Sequence, residues 1–400
     1  MNTSDVFYES SDVDPVGEFD KMDIPDTILR GIFSHGWEKP SPIQQKAIQP
    51  FISGRDMIAQ AQSGTGKTGS FCIGSMARID STLKKPQVLM LSPVHDLAIQ
   101  TYNIVKSLAS FSDIQSTLLI GKGLGGIGLS SRYSDRKDIP EPDFNAHVIV
   151  GTPGRVLDCI RRRKLSNDNL KVFILDEADE ILSKGFKEQI RNIFSTIPEE
   201  VQITLFSATM PPDILELSNS FMRNPTRILV NSEELTLEGI KQFYVYVDSE
   251  QQKIDVLEDI YETISVTQAI LFVNSKPKAI QLKEILEKQN YTISVMHGGL
   301  NQYERNDVLN SFRSGHERIL IATDILSRGI DIQQISLVIN YDMPFRVEQY
   351  IHRIGRSGRY GRKGVGINLI VPNDVHALKR IEQFYATSIE SLPQNYGSYL

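Results

Sequence analysis

The sequence predicts an α/β protein of two tandem units, each a largely parallel sheet with helices on both faces. Three observations predict it. At 400 residues the chain exceeds one typical domain. Short aliphatic and β-branched runs alternate with helical patterns twice over, on either side of the polar stretch Asn231-Ser232-Glu233-Glu234. Several of those runs end directly in polar clusters, and ligands of open parallel sheets bind beyond the carboxyl ends of strands. Composition agrees with a globular chain, 40% hydrophobic and 23% charged. The formal net charge of −6 argues against binding a polyanion through bulk charge, so any nucleic-acid binding must come from local groups. No apolar run reaches membrane-spanning length and no basic-then-apolar leader opens the chain. Cys72 and Cys159, far apart, suggest neither a zinc site nor a disulfide framework; the expected setting is intracellular and reducing.

In order, residues 1–17 carry acids and serines without a base and read as a disordered acidic tail. A first unit is expected over 18–230. It opens with helical spacing in Ile24–Phe33, where Pro25 suits a first turn. Asp56-Met57-Ile58-Ala59 reads as a short buried strand. Val88–Ser92, Ser116–Ile120, His147–Gly151, Val172–Leu175 and Ile203–Phe206 follow as strands, with helices such as Leu97–Leu108 and Lys187–Phe194 between them. After a linker at 231–239, a second unit is expected over 240–400. Its strands are Gln242–Val247, Ala269–Val273, Ile293–Met296, Ile319–Ala322, Leu337–Asn340 and Gly366–Val371, separated by helices such as Lys276–Gln289 and Gln302–Phe312.

The chemistry starts at Ala61-Gln62-Ser63-Gly64-Thr65-Gly66-Lys67-Thr68, a variant of the phosphate loop with alanine in place of its first glycine. Glycines let the backbone turn tightly into a helix N-terminus, where unpaired N–H groups and the helix dipole favour anions. Lys67 would reach the β- and γ-phosphates, and the Thr68 hydroxyl would serve Mg²⁺. Asp176-Glu177-Ala178-Asp179 follows the apolar Val172-Phe173-Ile174-Leu175. An acidic pair there can hold a hydrated metal through Asp176 and orient or deprotonate the attacking water through Glu177. In His352-Arg353-Ile354-Gly355-Arg356-Ser357-Gly358-Arg359, arginines at i and i+3 suit stabilisation of a transferring phosphoryl group. Gly36-Trp37-Glu38-Lys39-Pro40-Ser41-Pro42-Ile43-Gln44 stays open on its residues alone. Trp37, the only tryptophan, fits plain packing, and Gln44 fits either a base edge or a helix cap.

The order Gln44, Ala61–Thr68, Thr152–Arg155, Asp176–Asp179, Ser207–Thr209, Thr323-Asp324 with Arg328-Gly329, and His352–Arg359 resembles the DEAD-box ATP-dependent RNA helicases over nearly the whole chain. Within them it looks most like the initiation factor 4A subfamily. The resemblance implies two RecA-like domains closing around ATP with Mg²⁺ and single-stranded or partly duplexed RNA. It implies adenine contacts from Trp37, Lys39 and Gln44 and phosphate contacts from Ser63, Gly64, Thr65, Gly66, Lys67 and Thr68. Metal binding falls to Thr68 and Asp176, largely through water, and catalysis to Asp176 and Glu177. Ser207 and Thr209 couple hydrolysis to closure. Gly329, Asp331, His352, Arg356 and Arg359 approach the nucleotide from the second domain. RNA contacts fall to Pro93, His95, Gly154, Arg155, Gln302, Arg305, Thr323 and Asp324, mainly on phosphate and ribose and therefore independent of base sequence.

Two departures fall on the expected RNA surface of the first unit. Val94-His95-Asp96 stands where the family has Thr-Arg-Glu, removing one arginine, and Gly121-Lys122-Gly123 displaces its Gly-Gly element. The expected function is an RNA-stimulated ATPase that unwinds or remodels RNA locally, in translation initiation, as a cytoplasmic or nuclear monomer working with scaffold and accessory initiation factors and no membrane. The alternative is an ATP-gated RNA clamp, in an exon-junction-like or ribosomal RNA processing complex.

Overall fold

The aliphatic runs become the strands of two separate sheets. The computed structural model describes residues 13–61, 65–121, 141–210, 212–228, 240–263, 268–289, 291–324, 335–355, 364–385 and 387–393. It divides into two units, Met1–Val230 and Asn231–Leu400. The expected linker at 231–239, phosphate-loop residues 62–64 and the irregular stretch 122–140 lie outside the described residues.

In the first unit α1 (Asp26–Ser34) and α2 (Pro42–Ile52) precede β1 (Met57–Gln60) and α3 (Lys67–Met76). Then come β2 (Val88–Leu91), α4 (His95–Leu108), β3 (Ser116–Leu119), β4 (Val148–Gly151) and α5 (Pro153–Arg161). The chain continues through β5 (Val172–Asp176), α6 (Ala178–Ile181), a π-turn segment Leu182–Phe186, α7 (Lys187–Phe194), β6 (Gln202–Ser207), α8 (Pro212–Phe221) and β7 (Thr226–Ile228). The strand order β3-β4-β2-β5-β6-β1-β7 is parallel throughout, with Met57 opposite Thr204 and Val88 opposite both Val148 and Val172. Because both faces are covered, strands such as Val88-Leu89-Met90-Leu91 and Val148-Ile149-Val150 are buried at every residue instead of alternating. Their side chains feed two cores: Met90, Val150 and Ile174 against α1–α4, and Leu89, Ile149 and Phe173 against α5–α8.

The buried Asp56 ties this sheet together, accepting from Ile203 N–H at 2.9 Å and Arg223 N–H at 2.6 Å. Val16 already joins the unit, donating its N–H to Gln45 O at 3.0 Å and packing on the core. Gly31 lets α1 lie against the end of α4, since a Cβ there would sit 2.0 Å from Leu108 O.

The second unit runs β8 (Ile240–Tyr246), α9 (Gln252–Thr263), β9 (Ala269–Phe272), α10 (Lys276–Glu287), β10 (Ile293–Met296) and α11 (Gln302–Arg313). It ends with β11 (Ile319–Ala322), β12 (Leu337–Asn340), α12 (Val347–Ile354), β13 (Gly364–Ile370), α13 (Val375–Tyr385) and β14 (Glu390–Ser391). The parallel order is β10-β11-β9-β12-β13-β8-β14. The short strands β7 and β14 are additions to the sequence reading, and β13 starts at Gly364 rather than Gly366. Among the described residues no helix is long and apolar enough to cross a membrane.

Candidate nucleotide and nucleic-acid site

Strand order sorts the polar clusters of the first unit. The carboxyl ends of β5, β6 and β1 are neighbours and carry Asp176-Glu177, Ser207-Ala208-Thr209 and the phosphate loop. The ends of β4 and β2 lie beside them and carry Thr152–Arg155 and Pro93–Asp96.

The phosphate loop enters α3 through Gly66, whose left-handed φ of 109° suits glycine. Ser70 N–H, at 3.0 Å, and Gln44 Nε2, at 3.2 Å, both donate to Gly66 O. Gln44 Oε1 meanwhile accepts from Ser41 N–H at 2.9 Å, so the side chain caps α2 and braces the loop at once. Of the two readings of Gln44, the helix cap is the one these bonds form. Trp37 stands next to it because α1 ends in a Schellman turn: Gly36, at φ 92°, donates to Phe33 O, and Trp37 N–H donates to Ile32 O at 3.2 Å. A Cβ on Gly69 would lie 2.4 Å from Gln44 Nε2 and 2.9 Å from the Trp37 ring, so glycine there lets both side chains close on the first turn of α3. Lys39 is exposed, and Thr65 and Thr68 are half-buried.

Lys67 is 4% exposed and its ammonium lies 3.5 Å from Glu177 Oε1, itself equally buried. Glu177 takes a left-handed φ of 49°, which turns the chain from β5 into α6 within one residue. A non-glycine residue held there costs about 1–3 kcal/mol and is found mostly at functional sites. Burial, then the Glu177 charge, push the Asp176 carboxyl up, against the pull of the Lys67 ammonium. Among the described residues, Asp176 Oδ2 is buried without a hydrogen-bond partner, as is Ser41 Oγ beside the loop. Two adjacent buried carboxylates with an orphaned oxygen fit a hydrated divalent cation, which relieves both the repulsion and the missing contact. The Asp179 carboxylate accepts from Thr209 Oγ1 at 2.7 Å, and Asp179 N–H donates to Ser207 Oγ at 3.4 Å. Two hydrogen bonds therefore tie the acidic cluster to the Ser-Ala-Thr strand end. The Cys72 thiol is fully buried and pushed well up, first by burial, so it is no nucleophile.

On the neighbouring strand ends, α4 begins at His95 rather than at Leu97, which places Pro93–His95 at a helix N-terminus. Thr152–Arg155 likewise opens α5, and two adjacent helix N-termini suit phosphates. His95 Nε2 comes within 3.7 Å of where a Gly121 Cβ would be, so the two sequence departures adjoin. Arg155 is paired with Asp158 at 2.9 Å, and Gly154 faces Gln189.

In the second unit Thr323 and Asp324 follow β11, and Gln302 and Arg305 share the start of α11, capped by Asn301 accepting from Glu304 N–H at 2.9 Å. Arg305 donates to Gly298 O at 3.3 Å. His352 is buried. Gly329, Asp331, Arg356 and Arg359, with Ser63 and Gly64, lie outside the described residues.

The structure adds a residue that the sequence reading passed over. Arg353, fully buried, donates to Asp324 Oδ1 at 2.6 Å, Asn274 Oδ1 at 2.7 Å, Asn340 Oδ1 at 3.3 Å and Asp342 O at 2.7 Å. Its guanidinium also sits 5.3 Å from the Phe272 ring centre. It thereby pins the carboxyl ends of β9, β11 and β12 to α12. The available signal was its place at helical spacing beside Tyr350 and Ile354, on the buried face of α12.

Comparison with known proteins agrees with this layout. The DEAD/DEAH box helicase family model matches residues 41–217, and the helicase conserved C-terminal domain model matches 252–361. A Candida glabrata protein named ATP-dependent RNA helicase eIF4A is 54% identical over 383 residues, covering 96% of this chain and 94% of that one. The Saccharomyces cerevisiae protein of the same name is 51% identical over 96% of this chain and 95% of its own. The structure of S. cerevisiae Dbp5 bound to RNA and ADP BeF3 superposes with a TM-score of 0.83 at 34% identity, covering 94% of this chain and 95% of that one. With its phosphate-loop helix, Asp-Glu-Ala-Asp strand end and Ser-Ala-Thr brace in adjacent positions, the chain belongs to the DEAD/DEAH box helicase family.

Proposed function

We propose that the protein is an ATP-dependent RNA helicase that hydrolyses ATP to ADP and phosphate and uses the cycle to separate or remodel short RNA structures in translation initiation. The observation that carries the catalytic half is the buried Lys67–Glu177–Asp176 cluster beside the Thr209–Asp179 brace. Relatives named ATP-dependent RNA helicase eIF4A, at 51–54% identity over nearly the full length, carry the biological half.

In this reading Trp37 stacks on adenine, Gln44 reads its edge, and Lys39 lies beside them. Thr65, Gly66 and Lys67, with Ser63 and Gly64, hold the phosphates. Lys67 exchanges its contact with Glu177 for phosphate oxygens, which frees the Glu177 carboxylate to orient and deprotonate water. Thr68 and Asp176 would hold Mg²⁺, which supplies charge neutralisation for the phosphates. Asp179 transmits the state of that site to Ser207 and Thr209. Arg356 and Arg359 stabilise the transferring phosphoryl group, with Gly329, Asp331 and His352 as further nucleotide contacts. Pro93, His95, Gly154 and Arg155 in the first unit, and Gln302, Arg305, Thr323 and Asp324 in the second, take RNA through phosphate and ribose. The overall −6 charge fits this use of a few placed groups in place of a basic surface. The protein works as a monomer with scaffold and accessory initiation factors, in the cytoplasm.

The test is steady-state ATP hydrolysis with and without single-stranded RNA, for wild type and Glu177→Gln. RNA should stimulate the wild type, and the variant should lose about 10²–10⁴ in kcat while retaining ADP binding. Equal turnover in the two proteins would refute the assignment of Glu177.

A further inference from the structure

We propose that His35, at the end of α1 and anchored to the last turn of α4, is a positioning residue for the nucleotide that holds the Trp37 indole in its adenine-stacking orientation. The inference rests on the reading of Trp37 as the adenine platform. Three local observations carry it.

First, the His35 and Trp37 rings meet edge to face, with centroids 4.6 Å apart and planes at 78°. Aromatic pairs favour this arrangement because a ring's positive edge meets a negative face. Second, His35 Nδ1 is hydrogen-bonded to Ser107 Oγ at 2.8 Å, across 72 residues of sequence. That bond anchors a ring which otherwise turns about its own side-chain torsions. Third, the approach of α1 to α4 is built in: Gly31 abuts Leu108 O so closely that a Cβ would stand 2.0 Å away. His35 caps α1 one turn further on, and so falls opposite Ser107.

The backbone of Trp37 is fixed independently by the Schellman turn at Gly36 and by its N–H bond to Ile32 O. What the turn leaves free is the direction of the indole. One edge of that indole is limited by Gly69 at the start of α3 and another contact is supplied by His35, so the ring has little room between them. An immobilised ring loses less freedom when a base stacks on it, so the contact contributes to nucleotide affinity without touching nucleotide. It also ties the adenine platform to α4, whose first turn carries His95 on the proposed RNA surface.

The experiment uses the full chain and exploits its single tryptophan. ADP affinity is measured by calorimetry for wild type, His35→Ala, His35→Phe, Ser107→Ala and Trp37→Ala, with Trp37 time-resolved anisotropy recorded in the four that keep it. His35→Ala should bind ADP about 2- to 10-fold more weakly, raise the KM for ATP by the same factor and leave kcat at saturating ATP unchanged. Its ligand-free indole should show added fast depolarisation. Ser107→Ala should shift both readouts the same way by less, and His35→Phe, which keeps the ring contact without the anchor, should recover part of the affinity. If Trp37→Ala weakens ADP binding but His35→Ala and Ser107→Ala leave affinity and anisotropy at wild-type values, the positioning role is overturned while the adenine platform stands. If Trp37→Ala also binds ADP normally, the platform reading fails and the inference falls with it.

Discussion

Replacing Arg353 with methionine should unfold the second unit early and leave the first unit untouched. The guanidinium is fully buried and serves four acceptors on three strand ends. Methionine keeps the length and apolar stem but withdraws every one of those donors. Breaking a buried ion pair from one side costs about 3–5 kcal/mol, because the abandoned partners stay where they are. The Asp324 side chain is 28% exposed, so water reaches part of the carboxylate that Arg353 leaves and the lower end, about 3 kcal/mol, applies. With a urea slope of about 2 kcal/mol/M, the midpoint of the second unit should fall by about 1.5 M. The assay is urea unfolding followed by two probes. Trp37 fluorescence reports only the first unit, whereas far-ultraviolet circular dichroism reports helices and strands of both. In Arg353→Met the dichroism transition should split, with its early phase absent from the fluorescence trace. A midpoint within about 0.3 M of wild type by both probes would refute the argument that Arg353 organises these strand ends, since a shift that small is about 0.6 kcal/mol.

Three further outcomes follow from particular contacts. Gly69→Ala drives a Cβ into Gln44 Nε2 and the Trp37 ring. With both side chains displaced from the adenine side, ADP affinity should fall roughly tenfold by calorimetry, while the helix propensity of alanine, worth about 1 kcal/mol, offsets the strain in thermal stability. Thr209→Val removes the 2.7 Å donor to the buried Asp179, and urea unfolding read by Trp37 should show about 1–3 kcal/mol of lost stability. His95→Arg restores a cation at the first turn of α4. RNA affinity should rise, and the slope of log K against log salt should steepen by about 0.7, the value for one added phosphate contact on a single strand.

The sheets were legible because a buried parallel strand needs little more than four apolar residues, and runs such as Val88–Leu91 or Ala269–Phe272 offer nothing else. Strands of three and two residues, β7 and β14, carry too little pattern to register. The sequence places the start of α4 two residues late because His95 and Asp96 are polar and add nothing to the apolar periodicity that begins at Leu97. At the site, contiguous groups were legible: Lys67 with its glycines, and Asp176 with Glu177. Contacts made by strand adjacency were not. Thr209 meets Asp179 across 30 residues because β5 pairs with β6, and Arg353 meets Asn274 across 79 because β9 pairs with β12. The left-handed Glu177 is similarly a tertiary imposition, which no local preference of glutamate announces.

The measurement that bears most directly on the central claim is release of a labelled strand from a short RNA duplex, followed under ATP, under ADP and with Glu177→Gln. A helicase built on this site should release the strand only with ATP, faster as RNA-stimulated hydrolysis rises, and the variant should release little and turn over at its residual rate. Wild-type protein that holds RNA tightly under ATP, hydrolyses it slowly and releases no strand would contradict the account and establish an ATP-gated clamp instead.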